Sequence, residues 1–220
     1  VAFHFATFKG GIISFERTEF GDGRVDFRTV EFGTGRVNFN RAVFGSGEVN
    51  FDECTMDSGK FSFKRANFGK GDISFEEVGF ADIDVSFERT IFGGGKVSFY
   101  KSWFNSLSLN FCHLDGYVDL RVGQCHTLDL SNTVVRDIID FNPHEFNSNV
   151  KTIILAGMRL IGVIYLDWNI SGVKRMIYSQ KESSHRIKAE QFRIIKENFQ
   201  NLGHYSNEDK AYVEFKRNEA

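Results

Sequence analysis

The sequence predicts an all-β solenoid: a right-handed, four-sided parallel β-helix of about 24 residues per coil, followed by a short C-terminal α-helical hairpin. Three observations predict it. Phe is abundant and Pro nearly absent, with 25 Phe and 1 Pro in 220 residues. Equivalent Phe residues recur every 12 positions over the first half of the chain. After residue 178 the composition changes to that of amphipathic helices.

Two Phe columns define the repeat. In the first column Met56 takes the one missing place, and the members are Phe8, Phe20, Phe32, Phe44, Phe68, Phe80, Phe92 and Phe104. The second column has no gap and comprises Phe15, Phe27, Phe39, Phe51, Phe63, Phe75, Phe87, Phe99 and Phe111. Self-similarity at a fixed period is the signature of stacked repeat architectures.

Residues two apart on an extended chain point to the same side. Val25 and Phe27 therefore face inward, and Asp26 faces outward. The inward pairs are separated alternately by five-residue and seven-residue steps. The seven-residue step contains Gly-x-Gly, as in Gly21-Asp22-Gly23. We expect these glycines to form corners with left-handed dihedral angles.

The size of the core decides the coil length. A coil of about 12 residues would be too short in perimeter to surround four bulky inward groups. Two repeats give a perimeter of roughly 80 Å at about 3.3 Å per residue, which encloses a core wide enough for Phe. Coils stacked about 4.8 Å apart then pile Phe27, Phe51, Phe75 and Phe99 above one another.

Small residues two before the first Phe column, as in Thr18-Glu19-Phe20 and Ala42-Val43-Phe44, make the sequence resemble the pentapeptide-repeat proteins. The resemblance covers residues 1–111 and implies four-sided right-handed coils. Strict five-residue spacing holds for only half of the steps, so the chain looks like a divergent, Phe- and Gly-rich relative.

We divide the chain into regular repeats at 1–111, an irregular continuation of the β-helix at 112–178, and helices at 179–220. Residues 142–149 are expected to form a loop. Ser183 or Ser184 is expected to cap a helix with an apolar stripe, and Gly203 to end it; the stripe is Ile187, Phe192, Ile195, Phe199 and Leu202. Ser206-Asn207-Glu208-Asp209 suggests a capping box that opens a second helix with Ala211, Tyr212 and Phe215. This hairpin would cover the open end of the solenoid.

The helical tail also resembles that of membrane-associated members of the same family, which implies membrane segments outside this sequence. The chain lacks an initiator Met and ends in a charged, helix-like stretch, so we expect a fragment of a longer protein. Three Cys are too few for a disulfide framework and favour a reducing, cytoplasmic compartment.

Candidate chemistry is sparse. Cys112-His113 and Cys125-His126 lack the ligand spacing of a zinc site, and Cys54 falls in the small inward column. Five carboxylates form a candidate acid–base cluster whose simpler interpretation is solvated outward positions: Asp115, Asp119, Asp129, Asp137 and Asp140. An outward polar ladder is expected to hydrogen-bond between coils; its members are Ser14, Asp26, Asn38, Asn50, Ser62, Ser74, Ser86, Ser98 and Asn110.

We therefore expect a non-enzymatic scaffold or protein-interaction domain, with no catalytic residue, cofactor, metal or small-molecule substrate. A protein partner is expected, and the oligomeric state stays open. The first alternative is a carbohydrate-active β-helix enzyme that uses the 113–140 carboxylates. The second is a DNA mimic that inhibits gyrase, as some pentapeptide-repeat proteins do. Residues 1–112 carry 13 basic and 15 acidic residues, which argues against DNA mimicry and against nucleic-acid binding.

Overall fold

The structure is a computed structural model that describes residues 1–142 and 149–219, so most of the loop predicted at 142–149 lies outside the described residues. Its strands are β1 (Gly11–Ser14), β2 (Glu19–Gly21), β3 (Val25–Asp26), β4 (Thr34–Asn38), β5 (Val43–Phe44), β6 (Val49–Asn50), β7 (Ser58–Ser62), β8 (Ile73–Ser74), β9 (Gly79–Ser86), β10 (Ile91–Phe92), β11 (Val97–Ser98), β12 (Trp103–Ser108), β13 (His113–Leu114), β14 (Val118–Asp119), β15 (Gln124–Asp129), β16 (Val134–Val135), β17 (Ile138–Asp140), β18 (Asn149–Ile154), β19 (Arg159–Leu160) and β20 (Val163–Tyr165). Its helices are α1 (Val173–Tyr178), α2 (His185–Asn201) and α3 (Tyr205–Glu219).

The strands form a parallel β-solenoid of about six turns, with equivalent positions about 24 residues apart. One wall is the sheet β1-β4-β7-β9-β12-β15-β18, and another is β20-β17-β14-β11-β8-β6-β3. A third wall contains β2-β5 and β10-β13-β16-β19, which single bridges at Asn67 connect. Val25 pairs with Val49, and Val49 pairs with Ile73, so two sequence repeats make one coil. The predicted coil length is confirmed.

The coils become shorter where Leu replaces Phe in the core. Val97 pairs with Val118, and Val118 pairs with Ile139, so each of these two coils uses fewer residues than the coils before it. The change begins at a register shift between β9 and β12. Leu fills less volume than Phe, so a shorter backbone perimeter suffices to enclose the core at normal packing density.

The Phe columns form continuous stacks inside the solenoid. The rings of Phe27 and Phe51 lie 4.8 Å apart with an interplanar angle of 2°, and Phe51 and Phe75 repeat that geometry. Phe75 and Phe99 continue the stack at 5.4 Å. A second stack, which contains Phe39, meets the first edge-on. Such edge-to-face and offset arrangements are the favoured geometries of aromatic pairs. The register on which the predicted fold depends is therefore present.

The smaller side-chain volume of Met56 is compensated by Phe61, a larger residue on the next wall. Phe61 stands where most coils have Val or Ile. Its ring contacts Phe32 at 5.1 Å and Phe80 at 5.0 Å, the residues below and above Met56 in the first column. A large residue beside a slimmer one keeps the core volume nearly constant, which cores tolerate well.

The prediction of left-handed glycine corners is only partly correct. Gly21 has φ 70°, but Gly45 and Gly71 do not have positive φ. A Cβ on Gly45 would lie 2.3 Å from the carbonyl oxygen of Gly21, and one on Gly71 would lie 2.1 Å from that of Gly47. These glycines are needed because the backbones of successive coils approach each other closely at this corner.

The C-terminal region contains three helices instead of the expected two, because α1 forms before the hairpin. The Ser184 hydroxyl accepts a hydrogen bond from the Ile187 N–H, and Gly203 follows α2 with φ 71°, as predicted. The capping box prediction is wrong: α3 begins at Tyr205, where the His204 carbonyl accepts the first backbone hydrogen bonds. Among the described residues, none of the helices combines the length and apolar composition needed to cross a membrane.

Helix α2 covers the last coil, as expected for the end of a solenoid. Its side chains Phe192, Ile195 and Phe199 are buried against the coil, whereas Ile187 is 37% exposed. Asn198 bonds both the N–H and the carbonyl of Ile164, each at 2.8 Å. The helix thus supplies both apolar cover and hydrogen-bonding groups to strand edges that would otherwise stay unpaired.

Candidate functional site

A row of four arginines occupies one corner of the solenoid. Arg17, Arg41, Arg65 and Arg89 take the same position in successive coils, and each has a φ of 57–59°. Each stands third in a turn of the type II kind, which requires positive φ at that position. For the second of them, the Ala42 N–H donates to the Phe39 carbonyl at 3.0 Å and closes the turn. We call these four residues the arginine row.

The backbone of the turns fixes the spacing of the arginine row. The N–H of Arg41 donates to the carbonyl of Lys64 at 2.9 Å, and that of Arg65 donates to Glu88 at 2.9 Å. Each arginine backbone is thereby bonded to the next coil. Because the coil pitch is about 4.8 Å, the row extends over about 14 Å along the solenoid axis.

The guanidinium groups of the row point to solvent. All four arginines are exposed. Within the described residues, none of them has a carboxylate within ion-pair distance. Arg89 instead lies over the ring of Phe111 at 5.2 Å. Exposed cations that repeat at one pitch without carboxylate partners among the described residues make this corner a candidate binding surface.

A shallow groove of about 270 Å³ runs beside the arginine row. Its lining residues are Glu16, Asn40, Arg41, Lys64, Arg65 and Glu88. The Lys64 ammonium donates to Glu88 at 2.7 Å, and this hydrogen bond lowers the pKa of the Glu88 carboxyl below its ordinary value. The middle of the groove is therefore cationic, and its two ends carry one carboxylate each. We call it the basic groove.

The diagonally opposite corner carries the reverse charge. Half a coil away from the arginine row, the equivalent turn positions hold Glu53 and Glu77, with φ of 58° and 55°. Asp52 and Glu76 precede them in the sequence. Glu53 and Glu77 are exposed, and Asp52 and Glu76 are half-buried. We call these four residues the acidic corner.

The outward polar ladder holds coils together, as predicted. The Ser74 hydroxyl donates to Asp52 Oδ1 at 2.5 Å, and Ser98 donates to Glu76 Oε1 at 2.6 Å, each across one coil boundary. On the next wall, Ser62 donates to Asn40 Oδ1 at 2.6 Å. These polar atoms are already hydrogen-bonded, so the ladder contributes to the stability of the wall.

The candidate carboxylate cluster is dispersed over several walls. Asp119 and Asp140 are neighbours on β14 and β17, whereas Asp129 lies on β15 in another sheet. Asp115 pairs with Arg136. Asp137 is exposed, and no ion pair of its carboxylate occurs among the described residues. The five carboxylates therefore do not converge on one point where a substrate could bind.

Asp119 and Asp140 belong to a hydrogen-bonded network. Arg121 Nε donates to Asp119 Oδ1 at 2.9 Å, and Arg121 lies over the Tyr100 ring at 5.0 Å. The Tyr117 hydroxyl donates to Asp140 Oδ2 at 2.8 Å. Burial, followed by this hydrogen bond, raises the pKa of Tyr117. The hydrogen bond to Asp119 raises the pKa of the Arg121 guanidinium. The Tyr117 hydroxyl and the Arg121 guanidinium therefore stay protonated, and their hydrogen bonds are made within the wall.

The three cysteines are buried, and none of them forms a disulfide within the described part of the chain. The Cys54 thiol donates to the Phe27 carbonyl at 2.9 Å, and Cys112 donates to the Phe87 carbonyl at 2.9 Å. Burial raises the pKa of Cys54, Cys112 and Cys125 to about 12. Over the described residues, no group of three or more His, Cys, Asp and Glu side chains is placed to hold a metal ion.

The rings of the first coil continue the aromatic stacks. Phe3, Phe8, Phe15 and Phe20 stack on the rings of the second coil, and each of them is only partly buried. The backbone continues the pairing as well, since the Asp26 N–H donates to the Val1 carbonyl at 2.9 Å.

The arginine row was not predicted from the sequence. Its signal was the regular recurrence of arginine at 17, 41, 65 and 89, which the shorter period of the Phe columns obscured. Searches of the chain against protein-family models, curated proteins and solved structures found no match.

Proposed function

We propose that this chain is a non-enzymatic protein-interaction scaffold, and that the basic groove is its binding surface. The observation that carries the proposal is the arginine row: four exposed cations at one pitch, without carboxylate partners among the described residues. Clusters of Arg recognise acidic and phosphorylated segments of proteins through charge-assisted hydrogen bonds. The partner surface is therefore acidic.

The walls of the solenoid suit this role because their own polar groups are already bonded between coils. Binding a partner then requires little ordering of the scaffold, which lowers the entropic cost of association. The Phe and Gly periodicity also supports kinship with the pentapeptide-repeat proteins. The three buried cysteines, which form no disulfide among the described residues, support a reducing compartment such as the cytoplasm.

The alternative of a carbohydrate-active enzyme gains no support from the geometry. Asp119, the most deeply buried candidate, is 1% exposed and is bonded to Arg121. A general acid or base must reach the proton that it transfers, within hydrogen-bond distance of a substrate. We therefore assign Asp119 to the structural network of the wall.

Affinity capture with paired variants tests the scaffold proposal. The first variant is Arg41→Ala/Arg65→Ala, which removes two cations from the basic groove. The matched control is Arg36→Ala/Lys60→Ala, since these exposed cations are also one coil apart but lie on the β4–β7 wall. A protein partner should be retained by the wild type and the control and lost by the groove variant, and the purified pair should rebind. A partner that binds all three proteins equally, or hydrolysis of a glycan that Asp119→Asn abolishes, would refute the proposal.

A further inference from the structure

We propose that the basic groove receives the acidic corner of a second copy of this chain, so that copies associate side by side. The inference rests on the proposed function in that it names an occupant of the same surface. Its basis is a match of spacing and charge between two corners of one molecule.

The spacing matches because both corners repeat at the pitch of the coils. Arg41 and Arg65 are one coil apart, and so are Glu53 and Glu77. An extended acidic peptide would present alternate side chains about 6.6 Å apart, so it matches a row with a pitch of about 4.8 Å less closely than a second solenoid does. A second solenoid presents its carboxylates at the required interval.

The charges in the middle of the two corners are complementary. The basic groove presents Arg41 and Arg65, and the acidic corner presents Glu53 and Glu77. The other two members of the arginine row stand beside carboxylates, so the ends of the groove carry charges of both signs. The central pairs therefore supply the attraction between copies, since opposite charges that face each other steer association.

Within the acidic corner, Glu53 and Glu77 are the residues available for docking. Asp52 and Glu76 accept hydrogen bonds from Ser74 and Ser98, so their orientation is set within the wall. Glu77 lies 3.9 Å from Lys101, a long ion pair between partly exposed side chains. Such surface pairs contribute little stability and exchange readily.

The two corners lie on opposite sides of the coil, so a contact between them is heterologous. Each copy that docks its acidic corner keeps its own groove open for the next copy. The expected assembly is therefore an open row of parallel or antiparallel rods. Because its contacts are exposed ion pairs, it should form only at high protein concentration and low salt.

Charge-reversal variants test this inference without changing the turn. Arg and Glu already occupy the same backbone conformation at Arg41 and Glu53, with φ of 59° and 58°. Exchanges of one for the other therefore keep the fold, which circular dichroism and thermal unfolding would verify. The variants are Arg41→Glu/Arg65→Glu and Glu53→Arg/Glu77→Arg. The control is Arg36→Glu/Lys60→Glu on the β4–β7 wall.

Sedimentation velocity over a concentration series is the measurement. Wild type and control should self-associate in about 50 mM NaCl and weaken at least tenfold in about 500 mM NaCl. Each corner variant alone should associate at least about tenfold more weakly, since both of its corners then carry like charge. An equimolar mixture of the two corner variants should recover association to within about threefold of wild type.

Three results would each overturn the inference: a wild type that stays monomeric throughout the series, corner variants that associate as well as wild type, or a mixture that fails to recover association. These outcomes are separable from the proposed function. If the wild type stays monomeric but binds an acidic protein partner that Arg41→Ala/Arg65→Ala no longer binds, the scaffold proposal stays intact.

Discussion

The side-chain carbonyl of Gln191 accepts a hydrogen bond from the backbone N–H of Leu155 at 2.8 Å. One coil earlier, the equivalent N–H of Leu130 donates to the backbone carbonyl of Ile154, also at 2.8 Å. The Gln191 side chain thus accepts the hydrogen bond that the backbone of a further coil would accept. The amide of Gln191 is itself held by Gln180, through two reciprocal hydrogen bonds of 2.8 and 2.9 Å.

Replacement of Gln191 by Leu should therefore destabilise the protein by about 2–3 kcal/mol. The substitution leaves the Leu155 N–H buried without a partner, which costs about 1–3 kcal/mol. It also removes two hydrogen bonds from the Gln180 amide, which keeps its bonds to Ile153 and Ser183. Urea denaturation measures the effect. The exposed Gln200 on the same helix gives the control, since Gln200→Leu should change stability by less than about 0.5 kcal/mol. Equal effects of the two substitutions would contradict the capping role.

Phe51→Ala should cost about 3–5 kcal/mol, because it opens a cavity in the centre of a ring stack. The Phe51 ring is fully buried and stacks on two others at 4.8 Å. Phe5 is the control, since its side chain is 75% exposed. Phe5→Ala should leave the free energy of unfolding within about 0.5 kcal/mol of wild type. A loss below about 1 kcal/mol for Phe51→Ala would show that the stack does not support the fold.

The Cys54 thiol should make stability fall at alkaline pH. In the unfolded chain the thiol deprotonates near its ordinary pKa of 9.0, but in the folded protein burial raises that pKa to about 12. Above about pH 9 the unfolded state therefore binds fewer protons than the folded state, so the stability present below that pH is lost as pH rises.

Denaturation of wild type and Cys54→Ala from about pH 8 to about pH 11 tests this expectation. The free energy of unfolding should decline more steeply for wild type, since the variant lacks the titrating thiol. Parallel curves would indicate that burial does not keep the Cys54 thiol protonated. At about pH 8 native Cys54 should also resist thiol-specific labelling, because the reactive species is the thiolate.

Arg121→Met should destabilise the wall by about 3–5 kcal/mol, since it leaves the buried carboxylate of Asp119 without its countercharge. Asp119 is 1% exposed. Arg136→Met is the matched control, because Arg136 pairs with Asp115 on the surface and exposed pairs contribute about 0–1 kcal/mol. Thermal unfolding separates the two. Similar losses of stability for the two variants would mean that the buried Asp119–Arg121 pair stabilises the fold no more than the exposed Asp115–Arg136 pair does.

At Arg65, Gly should be more stable than Ala by about 1 kcal/mol, because φ is 58° there and a Cβ is disfavoured in that region. At Arg36, on the extended strand β4, the order should reverse, with Gly less stable than Ala by about 0.5–1 kcal/mol. Chemical denaturation of the four variants gives both differences. The same order at both positions would exclude backbone strain at the arginine corner.

The sequence was sufficient to predict the coil pitch and the Phe stacks, because periodic burial of one residue type, as at Phe27 and Phe51, leaves a periodic pattern. The left-handed corners escaped prediction because Arg and Glu have no preference for positive φ; the closing turn and the inter-coil hydrogen bonds impose it on Arg41 and Glu53. The capping amide of Gln191 was equally hidden, since a polar residue on a helix is usually placed in solvent.

The basic groove could not be predicted because it depends on which residues of different coils lie side by side. A shift of one residue in pairing would move Arg41 away from Arg65 and Lys64. The shorter coils were not predicted either. They begin where Leu120 takes the place of Phe99 in the core.

Helix α2 gives the rod a direction. Its amides bond the backbone of the last coil at Leu155 and Ile164, at groups that a further coil would otherwise engage. While the helix is in place, no strand can pair with these groups. The β-sheets therefore cannot be extended by another chain at the face that α2 covers.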